Sequence, residues 1–343
     1  MNPRSMLVAI LLVSAIVLTG CGGGGGGDSP APTGPTTTPV TLNGTVTAPE
    51  INDGLLGSTR GAAAGAIDFS KLTIQAEGYG SEKALSGIGA ATFTLTIDTL
   101  TGTTTRLLVR NRAGTLLMAR RLEGLTQGLT KDGVTVDATS TAIVALMGAD
   151  SRFSLADLEA QATQATFQAF MASLTAFLKD ATSGSPLDDT GLKAQATTAG
   201  SQLRPGQSEI TAAYESLRKA LEDTTLADET RLQTFMAAIS PDFLDMAGTP
   251  SYADLESVTR SRFDRYTINA YSFTATAFTW QASDTIKVTT EMKITVTLKP
   301  GKTGSFTSAT VPKTSDVIWK WSPTAAKWLI QQGLPYKTDD LNI

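Results

Sequence analysis

Apolar and polar residues alternate in the first half of the chain with the period of β-strands. The clearest alternating runs are Val40–Val46, Leu72–Ala76 and Phe93–Ile97. Apolar residues at every second position place one face of a strand in a core and the other towards solvent. Two further runs flank a short connection that contains Gly114, which indicates a hairpin. Residues 40–137 are therefore predicted to form an antiparallel β-sandwich.

The period then changes to that of α-helices, beginning with a short helix predicted over residues 139–147. Ser154 followed three residues later by Asp157 is a capping signal. It opens a stripe of apolar residues at three- and four-residue spacings that reaches Leu178 and predicts one long amphipathic helix. The phenylalanine and methionine side chains of this stripe are interpreted as core. Residues 138–204 are predicted to form a helical segment.

The last part of the chain, residues 205–343, combines both periods. A strong helix is predicted from a stripe that contains Ile210, Tyr214, Leu217 and Leu221. Further helices precede long strands, of which the clearest alternates from Ile286 to Leu298. The predicted class for this part is α+β, with helices packed on an antiparallel sheet. The whole chain is thus predicted to be multidomain, with a β-sandwich, a helical middle segment and a C-terminal α+β part.

Three tryptophans mark the closing hairpin of this last part. Trp319 and Trp321 precede a Ser-Pro turn, and Trp328 follows it. Residues two apart on a strand point to the same face, so Trp319 and Trp321 are predicted to share one. The tryptophans that face the helices are expected to close the core against Phe235, Phe243 and Phe263.

Helices followed by a curled antiparallel meander that ends in this Trp-Lys-Trp hairpin resemble the NTF2-like cone. That resemblance implies a cavity between helices and sheet. The NTF2-like superfamily includes isomerases and dehydratases that use a buried Asp, Tyr or His. Tyr214, Asp242, Tyr266 and Tyr271 are the residues expected to line such a cavity. The opening run Leu42-Asn-Gly-Thr-Val46 resembles the first strand of carboxypeptidase-regulatory-like β-sandwiches, although the glycine- and alanine-rich stretch after Ile51 departs from that pattern.

The amino terminus reads as an export signal over residues 1–20. Arg4 supplies positive charge, and the apolar run from Met6 to Leu18 covers ~20 Å as a helix, too short for a hydrocarbon core of ~30 Å. Leu18-Thr19-Gly20-Cys21 resembles the lipobox of bacterial lipoproteins at all four positions. The resemblance implies cleavage between Gly20 and Cys21, a diacylglyceryl thioether on Cys21, and acylation of the new amino group.

Residues 21–39 are predicted to tether the folded part to the membrane. Six glycines follow Cys21, and four prolines lie between Pro30 and Pro39. Glycine keeps a chain flexible and proline extends it, while the stretch has nothing to bury, so residues 22–39 are expected to be dispensable for folding. Membrane lipid is the predicted partner of Cys21. Gly22 replaces the aspartate that tends to retain lipoproteins at the inner membrane, which favours the outer membrane of the cell envelope.

Composition narrows the chemistry that the chain can perform. The chain contains no histidine and one cysteine, and its formal net charge is −4. Without imidazole, a Ser-His-Asp triad, a Cys-His pair and a histidine-ligated metal are excluded. With the cysteine lipidated, no thiol nucleophile remains. The mild acidity and scattered basic residues argue against a nucleic-acid partner, and no cofactor or metal is predicted.

Three short motifs occur in the order of a known catalytic site. Ser216-Leu-Arg-Lys219, Ser283-Asp-Thr285 and Lys302-Thr-Gly304 occur in the order of the elements of penicillin-binding proteins. Ser216 is predicted to lie in the middle of a helix, which is the wrong context. The preferred hypothesis is thus a non-enzymatic envelope lipoprotein that binds a protein or glycan partner or supports an assembly. The alternative is a small-ligand carrier, isomerase or dehydratase that works in the cone cavity.

Overall fold

The computed structural model describes residues 38–56, 67–304 and 308–336. The predicted signal peptide, the predicted cleavage position at Gly20, the predicted lipidation site Cys21 and nearly all of the predicted tether lie outside the described residues. The first part of the described chain is built from strands. They are β1 (Val40–Thr47), β2 (Leu72–Ala76), β3 (Tyr79–Ala84), β4 (Ala90–Ile97), β5 (Thr105–Asn111), β6 (Leu116–Leu122) and β7 (Thr130–Val136).

These strands form two sheets that share one hydrophobic core. The four-stranded sheet has the order β3-β2-β5-β6 and is antiparallel throughout. The three-stranded sheet has the order β4-β1-β7, and β1 pairs with β7 in parallel. The prediction of a wholly antiparallel sandwich is therefore wrong for β7. Alternation along a strand fixes which face is buried but leaves the partner and its direction open.

Four helices follow the strands. They are α1 (Ala138–Ala149), α2 (Leu155–Gln161), α3 (Ala165–Asp180) and α4 (Thr190–Gln202). The capping box of Ser154 and Asp157 is present with both of its hydrogen bonds. The single long helix predicted after it is wrong, because α2 ends at Gln161. Its last turn closes with short-range bonds, and the Gln161 side chain donates to the carbonyl oxygen of Arg204 at 2.8 Å.

The final part combines three helices with a five-stranded sheet. Its elements are α5 (Gly206–Glu222), α6 (Asp228–Met236), β8 (Ile239–Leu244), α7 (Tyr252–Arg265), β9 (Tyr266–Ala282), β10 (Thr285–Leu298), β11 (Ser308–Ser322) and β12 (Lys327–Gln332). The sheet order is β8-β12-β11-β10-β9. The last four strands form an antiparallel meander, and β8 joins β12 in parallel. The predicted α+β arrangement is confirmed in this outline.

Buried apolar residues fall into two cores. One contains residues from Val40 to Leu203, so the strands β1–β7 and the helices α1–α4 pack around a common interior. The second contains residues from Ile210 to Tyr336 and fills the space between α5–α7 and the five-stranded sheet. The predicted sandwich and helical segment therefore share one core. The predicted domain boundaries themselves stay predictions.

The tryptophan hairpin is arranged as the spacing indicates. Trp319 is fully buried and belongs to the second core with Phe235, Phe243 and Phe263, as expected. Trp321 pairs directly across the hairpin with Trp328 and is only partly buried. Among the described residues, no helix has the length and apolar character needed to cross a membrane.

Candidate functional site

The space between α5 and the five-stranded sheet is filled by aromatic side chains. Tyr214 projects from α5, stacks on Phe273 with ring centroids 5.0 Å apart, and meets the edge of Trp319 at the same distance. The Tyr214 hydroxyl lies 2.7 Å from the Thr290 Oγ1 atom and accepts a hydrogen bond from the Trp319 indole at 3.0 Å. Burial raises the pKa of Tyr214 to about 12. The polar groups of this interior therefore bond to one another.

The four residues expected to line a cone cavity occupy different places. Tyr271 is buried beside Tyr214, since both rings stack on Phe273, and burial raises the pKa of Tyr271 to about 12. Tyr266 is buried at the start of β9. Asp242 is exposed on β8, where its backbone oxygen accepts from the Gln331 side chain at 2.8 Å. The structure thus brings Tyr214 and Tyr271 together and leaves Asp242 at the surface.

Open space lies instead on the other side of α5, in a cavity of about 420 Å³ that we term the Trp328 groove. It is bounded by α5, by the end of α6 and by the start of β12. A volume of this size is typical of small-molecule sites. The groove is lined by Glu209, Ala212, Ala213, Ser216, Leu217, Thr234, Ala237, Ala238, Ala326, Lys327 and Trp328.

Glu209 is the acidic residue of the groove and lies in the first turn of α5. It is partly buried, and burial raises the pKa of its carboxyl group above the ordinary value. The nearest cation is Arg152, whose Nη1 atom lies 3.5 Å from a Glu209 oxygen. Arg152 is held more closely by Asp150, at 2.8 Å from Nη2 to Oδ2. The ion pair of Glu209 with Arg152 is therefore long and is shared with Asp150.

Trp328 forms the aromatic wall of the groove and the centre of a tryptophan cluster. Its ring lies 5.6 Å from that of Trp280 and 5.7 Å from that of Trp321, both at steep angles. The Arg204 guanidinium covers Trp321 at 5.1 Å. The Trp328 indole N–H is buried without a hydrogen bond of normal geometry, and its weak contact with the Glu209 carboxylate lowers the pKa of Glu209.

Asp157 joins the first core to the second directly beside this cluster. Its Oδ1 atom accepts from the Trp280 indole and from the backbone N–H of Gln207, each at 3.2 Å. Its Oδ2 atom accepts from the backbone N–H of Ser154 at 3.0 Å. The carboxylate is fully buried, and burial raises its pKa. Asp157 therefore caps α2 and positions the start of α5 and the end of β9 at once.

The remaining polar residues of the groove are engaged elsewhere. The Lys327 ammonium donates to the backbone oxygen of Ala237 at 2.8 Å, at the end of α6. The Ser216 hydroxyl donates to the backbone oxygen of Ala212 at 3.0 Å, and Lys219 lies 3.5 Å from Glu215. Ser216 stands in the interior of α5, as predicted, and no described lysine hydrogen-bonds to it. The groove therefore offers binding surfaces and no activated nucleophile.

The groove differs from another hollow of the described chain. That hollow, about 360 Å³, lies between α1 and α4, and its charged lining residues are Arg106 and Lys193. Arg106 forms a two-pronged ion pair with Glu77, so its charge is already matched. In the ranges 38–56, 67–304 and 308–336, no cluster of three or more acidic or cysteine side chains is placed to hold a metal ion.

Sequence reasoning did not identify Glu209, Arg152 or Trp280 as residues of a common site. Glu209 is one of many acidic residues on helices, and nothing near it in the sequence distinguishes it. Asp157 was recognised only as a helix cap. Its contact with Trp280 joins the two cores, and no local pattern reports such a contact.

No family model matches the sequence, and no curated protein matches it. Solved structures with a similar fold include a conserved protein from Planctomyces limnophilus (15% identity, 36% of this chain and 90% of that chain, TM-score 0.29). A ketosteroid isomerase-like protein from Erwinia carotovora atroseptica has 16% identity over 36% of this chain and 90% of its own, with a TM-score of 0.28. An NTF2-like protein from Rhodospirillum rubrum has 16% identity over 36% and 93%, with a TM-score of 0.28.

Two of these neighbours are named as ketosteroid isomerase-like and NTF2-like proteins, the fold that the sequence predicts for the C-terminal part. Their TM-scores lie below 0.3, so no activity or binding partner is transferred from them. The description of the C-terminal part rests on its own order of elements, α5-α6-β8-α7 followed by the meander β9–β12.

Proposed function

We propose that this protein is a lipid-anchored binding protein of the bacterial cell envelope that holds a small molecule in the Trp328 groove. The anchor is the lipidated Cys21 implied by the lipobox, followed by the glycine- and proline-rich tether. The binding site is the groove between α5, α6 and β12. In this proposal the cone interior has a structural role and performs no reaction.

The observation that carries the proposal is the contrast between a filled interior and an open groove. Inside the cone, the Tyr214 hydroxyl is occupied by Thr290 and by the Trp319 indole. The groove offers about 420 Å³ of space lined by alanines, a leucine and a tryptophan, together with one carboxylate, one ammonium group and two hydroxyl groups. Sites of this kind, mostly apolar with a few polar groups, are typical of small-molecule binding.

The alternative of an isomerase or dehydratase in the cone cavity requires a base beside a free phenol. Within the described chain, no carboxylate hydrogen-bonds to the Tyr214 hydroxyl, whose partners are Thr290 and Trp319. With a pKa of about 12, Tyr214 is a poor match for proton transfer near neutral pH. These features favour the binding hypothesis over the catalytic one.

The experiment measures binding of Nile red, an uncharged fluorescent dye, to the chain produced without its lipid so that no micelle competes. Ala212→Trp fills the groove from an exposed position of α5. Thr211→Trp places the same side chain on the neighbouring exposed residue, which does not line the groove. We expect saturable binding by the native chain and by Thr211→Trp, and none by Ala212→Trp.

Melting curves of both variants show whether each remains folded. Absence of dye binding by the native chain, or equal binding by the native chain and Ala212→Trp, would show that the groove is not the binding site.

A further inference from the structure

Glu209 is the one charged side chain of the groove whose charge is poorly matched. Arg152 lies 3.5 Å away and is shared with Asp150, which holds it at 2.8 Å and through two further contacts with the Arg152 Nε atom. The neighbouring carboxylates Asp150 and Asp157 repel the Glu209 charge. Two carboxylates, Asp150 and Glu209, therefore share the Arg152 guanidinium.

Lys327, the other charged residue that lines the groove, hydrogen-bonds elsewhere and not to the Glu209 carboxylate. Lys327 donates its ammonium to the Ala237 carbonyl oxygen at 2.8 Å. Ala237 is the C-terminal cap residue of α6, a position where a cation is stabilised by the helix dipole. Lys327 thus has its own favourable site on the rim.

The rest of the wall suits an apolar body next to a positive charge. Trp328 and Leu217 present apolar surface, and the alanines of α5 and α6 leave room for a ligand. A tryptophan ring attracts a cation placed over its face. A half-buried carboxylate whose cation is shared and lies at 3.5 Å gains from a ligand that brings a cation within direct hydrogen-bond distance.

From this arrangement we infer that the groove selects small organic amines. The ammonium group of the ligand pairs with the Glu209 carboxylate, and its hydrocarbon or aromatic part packs against Trp328 and Leu217. An organic anion is disfavoured because it would lie beside the Glu209 carboxylate, whose charge it repels. This inference rests on the proposed function, since it names the chemistry of the ligand for the same groove.

The test uses three probes with the same aromatic body and different ends, namely 2-phenylethylamine, 2-phenylethanol and 3-phenylpropionate. Binding to the unlipidated chain is followed by displacement of Nile red and by calorimetry. We expect the amine to bind about tenfold more tightly than the alcohol, as expected for a hydrogen bond assisted by charge, and the carboxylate to bind most weakly.

Glu209→Gln keeps the shape of the side chain and removes its charge. It should reduce the affinity for the amine to that for the alcohol and leave the affinity for the alcohol unchanged. Glu291→Gln is the matched control, because Glu291 is exposed on β10 and outside the groove, and it should preserve the preference.

The outcomes separate the two hypotheses. If Nile red binds in the groove but the three probes bind equally, or the carboxylate binds best, the selection of amines is wrong and the binding site stands. If neither the dye nor any probe binds, the proposed function itself is wrong. Preservation of the amine preference in Glu209→Gln would also overturn the role of Glu209.

Discussion

Trp319 makes both polar and apolar contacts in the core between α5 and the five-stranded sheet. The indole is fully enclosed, donates to the Tyr214 hydroxyl at 3.0 Å, and packs at a steep angle on the same ring. Removing the side chain leaves a cavity and takes away one hydrogen bond of a buried phenol. Both changes lower the free energy of unfolding.

We therefore expect Trp319→Ala to lower the free energy of unfolding by ~3–5 kcal/mol. Trp321→Ala should cost less, because Trp321 is only partly buried and meets Trp328 and the Arg204 guanidinium near the surface. Chemical denaturation of the two variants gives the comparison. Equal stabilities of Trp319→Ala and the native chain would show that Trp319 is not a core residue.

Asp157 gives the protein a pH dependence of its own. Burial raises the pKa of Asp157 above 3.8, despite the hydrogen bonds from Ser154, Gln207 and Trp280 that oppose the shift. The folded chain therefore holds this proton more tightly than the unfolded chain. The stabilisation from protonating Asp157 is complete below pH 3.8 and is lost as the pH rises through the folded-state pKa.

The difference in free energy of unfolding between the native chain and Asp157→Asn isolates this group. As the pH rises from about 3 to about 7, we expect the free energy of unfolding of the native chain to fall relative to that of Asp157→Asn. Asp316→Asn is the control of opposite sign, because hydrogen bonds from Thr289 and Lys287 lower the pKa of Asp316. For Asp316, the free energy of unfolding of the native chain should rise relative to that of Asp316→Asn as the pH rises. If the two differences in free energy of unfolding changed with pH in the same direction, the opposite pKa shifts of Asp157 and Asp316 would be contradicted.

At the residue scale, local spacing in the sequence predicts which face of a strand or helix a side chain occupies. It does not predict contacts with residues that are distant in the sequence. The two-residue spacing of Trp319 and Trp321 predicted one strand face, and the burial of Trp319 with the helices is confirmed. The environment of Glu209 is set by Arg152 and Trp328, which lie far away in the sequence. No pattern around Glu209 contains that information.

At the scale of elements, the start of α5 is positioned by a residue without a side chain. A Cβ atom on Gly206 would overlap the Cδ1 atom of the buried Ile286 and lie 2.9 Å from the Trp280 ring. The close approach of α5 to β9 and β10 thus depends on glycine. It also places the Gln207 backbone N–H within reach of Asp157.

We expect Gly206→Ala to lower the free energy of unfolding by ~1–3 kcal/mol, the usual cost of overpacking. Gly148→Ala is the control, because Gly148 lies in α1 and an added Cβ atom would meet no other part of the chain within 4 Å. There, alanine should raise the free energy of unfolding by ~0.5–1 kcal/mol through its helix propensity. The two variants are compared by thermal unfolding, and a stabilising effect of Gly206→Ala would show that α5 is less tightly packed than described.

Elements were predicted more reliably than their ends and partners. The capping box at Ser154 started a helix as expected, since such hydrogen bonds are local. At the end of α2, the Gln161 side chain donates a hydrogen bond to the backbone oxygen of Arg204, a residue that lies just before α5. The parallel pairing of β7 with β1 likewise depends on contacts across the sheet, and alternation of apolar residues does not encode them.

At the scale of the whole molecule, the proposed lipid anchor would place the proposed binding site at a membrane. Several acyl chains hold a protein durably at a membrane, because each buried CH₂ contributes about 0.8 kcal/mol. Cys21→Ser removes the site of lipidation, so we expect the variant to remain uncleaved or unlipidated and to move to the aqueous phase on detergent partitioning. Gly23→Ala, outside the lipobox, should behave as the native chain. Unchanged partitioning of Cys21→Ser would contradict the proposed anchor.

The last prediction concerns where the tether ends and the folded part begins. The sequence predicts that residues 22–39 are dispensable for folding, but the Gln127 side chain donates to the backbone oxygen of Thr38 as well as to that of Asp98. The same side chain accepts from the Leu100 backbone N–H at 3.0 Å. Thr38 is therefore part of a small network that joins the start of β1 to the loops beside β4 and β7.

A chain that begins at Thr38 keeps this network, and a chain that begins at Val40 loses one of its acceptors at an exposed position. We expect the first to unfold at the same denaturant concentration as the full mature chain. The second should lose at most ~1 kcal/mol of unfolding free energy, the ordinary contribution of one hydrogen bond. Chemical denaturation of the three chains measures both differences. A markedly lower midpoint for the chain that begins at Thr38 would show that residues before it dock on the folded part, and they would then act as more than a tether.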